Sequence, residues 1–133
     1  MTKEQAEYLQ QWMFKANEDI AVINNLAKED ITAFTGAVCF HSQQAIEKFL
    51  KAYLVFKSFD FRKTHDLDYL LTECRKIDPR PFIDLELKNL SEYGVCVRYP
   101  DDFIIPAVAD TIYFIDLPMR VKETVEIEIS TSS

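Results

Sequence analysis

A chain of 133 residues with 48% hydrophobic side chains, ten Phe and six Tyr among them, carries enough apolar mass for one ordinary core and needs no disulfide or metal staple. Two Gly and five Pro leave little material for the tight turns of a sandwich or barrel, so composition points to an all-α single domain of a few long amphipathic helices. The net charge of −7 repels phosphates at long range and gives no support for non-specific coating of nucleic acid.

In chain order, Ala6, Leu9, Met13, Ala16, Ile20, Ile23 and Ala27 recur at steps of three and four, which predicts a first helix over about residues 4–28 with Glu7, Gln11 and Glu18 facing away. Thr32 is a candidate cap for a second helix reaching about Ser58. Its apolar side is broad: Phe34, Val38, Ala45, Ile46, Phe49, Leu50, Tyr53 and Phe56. Gln44, Glu47, Lys48 and Lys51 occupy the opposite, solvated arc, and Phe40 and Val55 project into it, which suggests a second contact surface. Leu67, Leu70, Leu71, Cys74 and Ile77 predict a short third helix capped by Asp66 and ending before Asp78-Pro79. Pro81 suits the first turn of a fourth helix with Phe82, Leu85, Leu87 and Leu90 as its apolar positions, closed at Gly94. Val95 to Pro106 reads as loop. From Pro106, the spacing of Val108, Ile112, Ile115 and Met119 predicts a last long helix kinked at Pro118, with residues from about 124 as helix end or frayed tail.

Cys39, Cys74 and Cys96 are odd in number and lack metal-ribbon spacing, which fits reduced thiols in a cytoplasmic protein. The start of the chain is polar, and no apolar run approaches the roughly 20 residues of a membrane span.

Two His and no paired-cysteine, H-E-x-x-H or calcium-loop spacing give a metal site no support, and two lone Gly cannot build a phosphate-cradling glycine loop, so no cofactor is expected. His41 beside Ser42 is a poor dyad, because neighbours on a helix point about 100° apart. His41 lies at the edge of the apolar arc with Gln44 and Lys48 one and two turns on, either as a boundary residue or as part of a polar pocket. Lys48, Lys51, Lys57, Arg62 and Lys63 form the best candidate basic patch; its alternative is a solvated helix face followed by a basic loop. Arg62, Lys63, Thr64 and His65 precede a helix start, where backbone N–H groups and cations can hold a phosphate; the alternative is that His65 and Asp66 only cap the helix.

The run Phe40-His41-Ser42-Gln43-Gln44-Ala45-Ile46-Glu47-Lys48-Phe49-Leu50-Lys51-Ala52-Tyr53-Leu54, followed by Lys63-Thr64-His65-Asp66-Leu67, resembles the HEPN domain. Ala16-x-x-Asp19-Ile20 and Tyr93-x-x-x-x-Arg98-Tyr99-Pro100-Asp101 extend the resemblance from about Met13 to Tyr113. It implies an up-and-down antiparallel bundle of four to five helices that dimerises, with a polar or basic cleft near the dimer interface. It also implies a nucleotide ligand or a protein partner, often a minimal nucleotidyltransferase in a toxin–antitoxin pair. Candidate phosphate contacts are then Lys48, Lys51, Arg62, Lys63, His65 and Arg98, with His41 and Gln44 as pocket groups. Members that cut RNA carry a His four to six residues after an Arg. Arg98 has no His after it, and Arg62 and His65 are too close in sequence, which favours binding over cleavage. A ribonuclease with a rearranged Arg and His pair, and a structural oligomerisation adaptor, are the competing readings.

Overall fold

The computed structural model describes residues 1–94 and 105–131. Among them are four α-helices and no strand: α1 (Lys3–Glu29), α2 (Thr35–Phe56), α3 (Leu67–Ile77) and α4 (Val108–Thr131), with 3₁₀ turns at Ile31–Ala33 and Leu90–Gly94. Helix α2 is the central one, packed by α1, α3, α4 and the second 3₁₀ turn, so most of its circumference is buried. No helix among the described residues is long and apolar enough to cross a membrane.

Helix α1 forms as its periodicity predicts. Leu9, Met13, Ala16, Ile20 and Ile23 are buried against α2, while Ala27 at the end of the same stripe is exposed. Thr2 caps its start by accepting from the Gln5 amide at 3.1 Å. The two helices run antiparallel: the Gln5 side-chain amide, at the start of α1, donates to the Val55 carbonyl at 2.7 Å and to Ser58 Oγ at 2.9 Å, at the end of α2. That packing buries Val55, which is 7% exposed, so only Phe40 of the two expected protrusions stays partly open.

Thr32 does not cap α2. It belongs to the 3₁₀ turn, where its N–H and hydroxyl both go to Asp30, and the residue before α2 is Phe34, which supplies no side-chain acceptor. The far end comes two residues earlier than expected. Ser58 adopts a left-handed φ of 59°, and the Phe59 amide turns back to the Leu54 carbonyl at 2.9 Å, the closure usually made with glycine. Residues 57–66 then return along α2, which brings His65 level with Glu47.

The expected fourth helix at Pro81 is absent. Residues 81–84 form turns, and Lys88 takes a left-handed φ of 51° that no helix accommodates. Phe82, Leu85, Leu87 and Leu90 are all buried, as expected of them, but from an irregular segment whose carbonyls find a partner elsewhere: the Arg75 guanidinium donates to those of Phe82 and Leu85 at 2.9 and 2.7 Å.

Helix α4 forms in the expected place but with another face inward. Thr111, Phe114, Leu117, Pro118, Val121 and Val125 are buried, whereas Val108, Ile112 and Met119 are exposed. Both sets have helical spacing. Phe114 meets the ring of Tyr93, and Thr111 Oγ1 meets Cys39 Sγ at 3.6 Å, so contacts with α2 and the 3₁₀ turn select the face. The helix runs through Pro118 and on to Thr131, and Val125 is fully buried, so residues 124–131 are helix end rather than frayed tail.

Cys39 and Cys74 are buried and free. Burial raises the Cys39 thiol and pushes that of Cys74 up to about 12. Because the thiolate is the nucleophile, neither should take up iodoacetamide in the native protein at neutral pH, and both should react once it is denatured. Mass spectrometry after timed alkylation reads this directly; native labelling of Cys74 would mean that α3 opens locally. Cys96 lies outside the described residues.

Candidate functional site

The polar arc of α2 is not a solvated face. Glu47 is 2% and Lys51 6% exposed, because α1 covers one edge of the arc and the returning loop covers the other. Two carboxylates organise what lies between. Asp19 of α1, itself buried, accepts from Lys48 Nζ at 2.6 Å and from His41 Nδ1 at 2.8 Å. Glu47 accepts from Lys51 Nζ at 3.2 Å, from His65 Nδ1 at 3.0 Å and from the Gln43 amide at 3.3 Å.

An amide pair extends the Glu47 cluster along α2. Gln44 Nε2 donates to Gln43 Oε1 at 2.6 Å, and Gln43 Nε2 donates onward to the His65 carbonyl at 3.0 Å as well as to Glu47. The result is a polar seam on α2 of two neighbouring networks, His41, Asp19 and Lys48 in one and Gln44, Gln43, Glu47, His65 and Lys51 in the other. Carboxylates only accept, so each histidine must carry its hydrogen on Nδ1. Each Nε2 is then left without a partner among the described residues, as an acceptor in the neutral ring and a donor in the protonated one. The His65 side chain is 59% exposed and that of His41 28%, so both free nitrogens belong to rings that solvent reaches.

The candidate phosphate contacts thus divide. Lys51 is turned inward, paired with Glu47 and set beneath the rings of Trp12 and Phe61 at 5.0 and 5.8 Å. Lys48 is held by Asp19 but keeps a partly open side chain. Arg62 stacks on Tyr69 at 4.1 Å, and neither it nor Lys63 forms an ion pair among the described residues, so these two cations remain available beside His65. Lys57 covers the rings of Tyr53 and Phe56. Arg98 lies outside the described residues.

The backbone part of the expected anion site is already taken. Asp66 Oδ1 accepts from the amides of Asp68 and Tyr69, and Ser91 Oγ accepts from that of Leu67, so the start of α3 has its own anion in place. Any phosphate near His65 must be held by side chains.

A family model described as HEPN domain matches residues 9–126, nearly the whole chain. The chain belongs to the HEPN domain family. No curated protein and no solved structure matches it. Among the described residues of this HEPN domain there is no group of three or more His, Cys, Asp or Glu placed to hold a metal ion.

Sequence reasoning found both histidines but missed the residues that orient them. Asp19 had a legible signal, since it sits between the buried positions Ala16, Ile20 and Ile23 on one face of α1. Glu47 had none. Its spacing from Lys51 reads equally well as an exposed ion pair one turn apart, and only the return of residues 57–66 over it makes it a buried one.

Proposed function

We propose that this HEPN domain is a non-catalytic module that binds a nucleotide along the polar seam and pairs with a second copy of itself through α4. The observation that carries the binding reading is the pair of histidines locked by buried carboxylates, with His65 beside the unpaired cations Arg62 and Lys63. Positioned donors next to exposed cations suit the phosphates of a nucleotide. His41, Gln44 and Lys48 supply a second polar pole on the same helix.

A ligand that binds only the native state raises its melting temperature. In a low-salt panel of nucleoside mono-, di- and triphosphates, at least one should raise it by several degrees. The shift should disappear in the variant Lys63→Ala with His65→Asn, in which Asn retains a donor toward Glu47 while Nε2 is lost. A panel with no shift, or one unchanged in that variant, would remove the seam as the site.

The dimer reading rests on Val108, Ile112 and Met119, exposed along α4 at helical spacing, with Ile105 just before them 70% exposed. Ile112→Lys should shift the native protein from dimer to monomer in analytical ultracentrifugation without lowering its melting temperature in the monomer. A wild-type monomer would leave that face to a partner of another sequence, such as the nucleotidyltransferase that the family resemblance suggests.

One observation favours the ribonuclease alternative: both Nε2 atoms are free on carboxylate-oriented rings, the state a general acid or base needs. Against it stands the absence of any His after Arg98. Incubation with RNA should give no product; a 2′,3′-cyclic phosphate that vanishes in His41→Asn would reverse the assignment.

A further inference from the structure

Where α1 starts and α2 stops, a pocket of about 310 Å³ opens to solvent. Three aromatic rings line it, Tyr8 of α1 with Phe59 and Phe61 of the returning loop, and so does Asp60, between the latter two in sequence. Its walls are held in place. The Gln5 side chain ties α1 to the Val55 carbonyl and to Ser58 Oγ, and the Phe59 amide is fixed on the Leu54 carbonyl at 2.9 Å. Phe59 and Phe61 pack against the core, while Tyr8 is 46% exposed.

The aromatic cluster around the pocket already holds one cation. Trp12 meets Tyr8 and Phe61 edge to face, with ring centroids 5.7 and 6.2 Å apart, and the Lys51 ammonium lies 5.0 Å from the Trp12 ring and 5.8 Å from that of Phe61. Both distances fall within the roughly 6 Å over which a ring quadrupole attracts a positive charge. Lys51 is not on the pocket lining, so it leaves that side of the cluster open.

The pocket also carries a charge that nothing balances. The Asp60 carboxylate is exposed and has no ion pair or hydrogen bond among the described residues. The neighbouring cations are engaged elsewhere: Lys51 with Glu47 at 3.2 Å, Lys57 over Tyr53 and Phe56, and Arg62 on Tyr69. Aromatic faces beside an unpaired carboxylate select a positive charge over a neutral or an anionic group. A primary ammonium carries three N–H donors that each need an acceptor once water is displaced, whereas a quaternary one carries none and presents only methyl groups. Walls of aromatic carbon with a single carboxylate suit the second.

We propose that this pocket binds the trimethylammonium group of a small organic cation, with its methyls against Tyr8, Phe59 and Phe61 and its charge beside Asp60. The site goes beyond the nucleotide reading and uses none of His41, Lys48, Lys63 or His65.

The probe is choline, titrated at low ionic strength into the ¹⁵N-labelled full chain. Its uncharged isostere, with carbon in place of the quaternary nitrogen, and ethanolamine, its primary amine, are separate arms. Trp12 is the sole tryptophan, so its emission reports on the cluster directly. Choline should change that emission and move the amides of Tyr8 and of residues 58–61 saturably, with an affinity about tenfold above that of either comparison compound. Asp60→Asn and Tyr8→Leu alter side chains that solvent already reaches, so both should fold, and each should weaken the response severalfold. No saturable response, equal binding of either comparison compound, or a response unchanged in both variants would overturn the proposal. A nucleotide that moves the Tyr8 and Phe61 amides where choline does not would make the pocket a base subsite and equally overturn it.

Discussion

Glu47→Ala should be among the most destabilising single changes available outside the apolar core, at about 3–5 kcal/mol, because it leaves the buried Lys51 ammonium without a counter-charge. Lys51 cannot escape easily: it is enclosed by α1 and lies under Trp12 and Phe61. In a domain of this size such a loss lowers the melting temperature by on the order of 10 °C. The same physics predicts a rescue. Removing both charges, as Glu47→Leu with Lys51→Met, eliminates two desolvation penalties together with the attraction between them, so most of the lost stability should return. Urea unfolding of the two single variants and the double variant measures this. A cost below about 1 kcal/mol for Glu47→Ala would mean that Lys51 reaches water and that the pair behaves as a surface one. The rescued variant has a further use: His65 loses its orienting carboxylate there, so weakened nucleotide binding in a stable protein would separate the role of Glu47 in the site from its role in the fold.

Arg75→Ala should be the second large effect, at about 2–4 kcal/mol. One guanidinium nitrogen donates to two carbonyls of the segment that follows α3, and hydrogen bonds with a charged partner contribute about 1.5–3 kcal/mol each. Without them, Phe82 and Leu85 keep their burial, but the Leu85 carbonyl loses its partner and that of Phe82 keeps only the Leu85 amide at 3.1 Å, and the turns at residues 81–84 have no helical hydrogen bonds to fall back on. The damage should be local as well as global. Trypsin should cut after Lys88 faster in the variant than in the wild type under native conditions; the bond after Arg80 is closed to it by Pro81. Arg75→Lys should restore little, since its ammonium sits on a shorter stem and falls short of the place where the one guanidinium nitrogen meets both carbonyls. Unchanged proteolysis together with unchanged stability would show that packing of Phe82, Leu87 and Leu90 alone holds the segment.

These two residues mark where local pattern stops being informative. The amino-acid sequence by itself determined that the chain is all-α, where α1 and α3 run, and that Asp66 caps α3, because helix formation, capping and proline placement depend on residues within a few positions of one another. It also carried the HEPN pattern and pointed to both histidines. Only the tertiary structure decided which face of α4 turns inward, since two apolar stripes of equal period compete and the choice is made by Cys39 and Tyr93 across the interface. It likewise decided that residues 81–90 form turns, because Arg75 supplies the hydrogen bonds a helix would have made for itself. The seam belongs to the same class. Asp19 reaches His41 and Lys48 across the helix pair, and Glu47 is buried by a loop that starts ten residues further on. Periodicity reports what one helix does on its own; whether a charge is buried, paired or free is a property of two elements brought together, and no spacing within one of them records it.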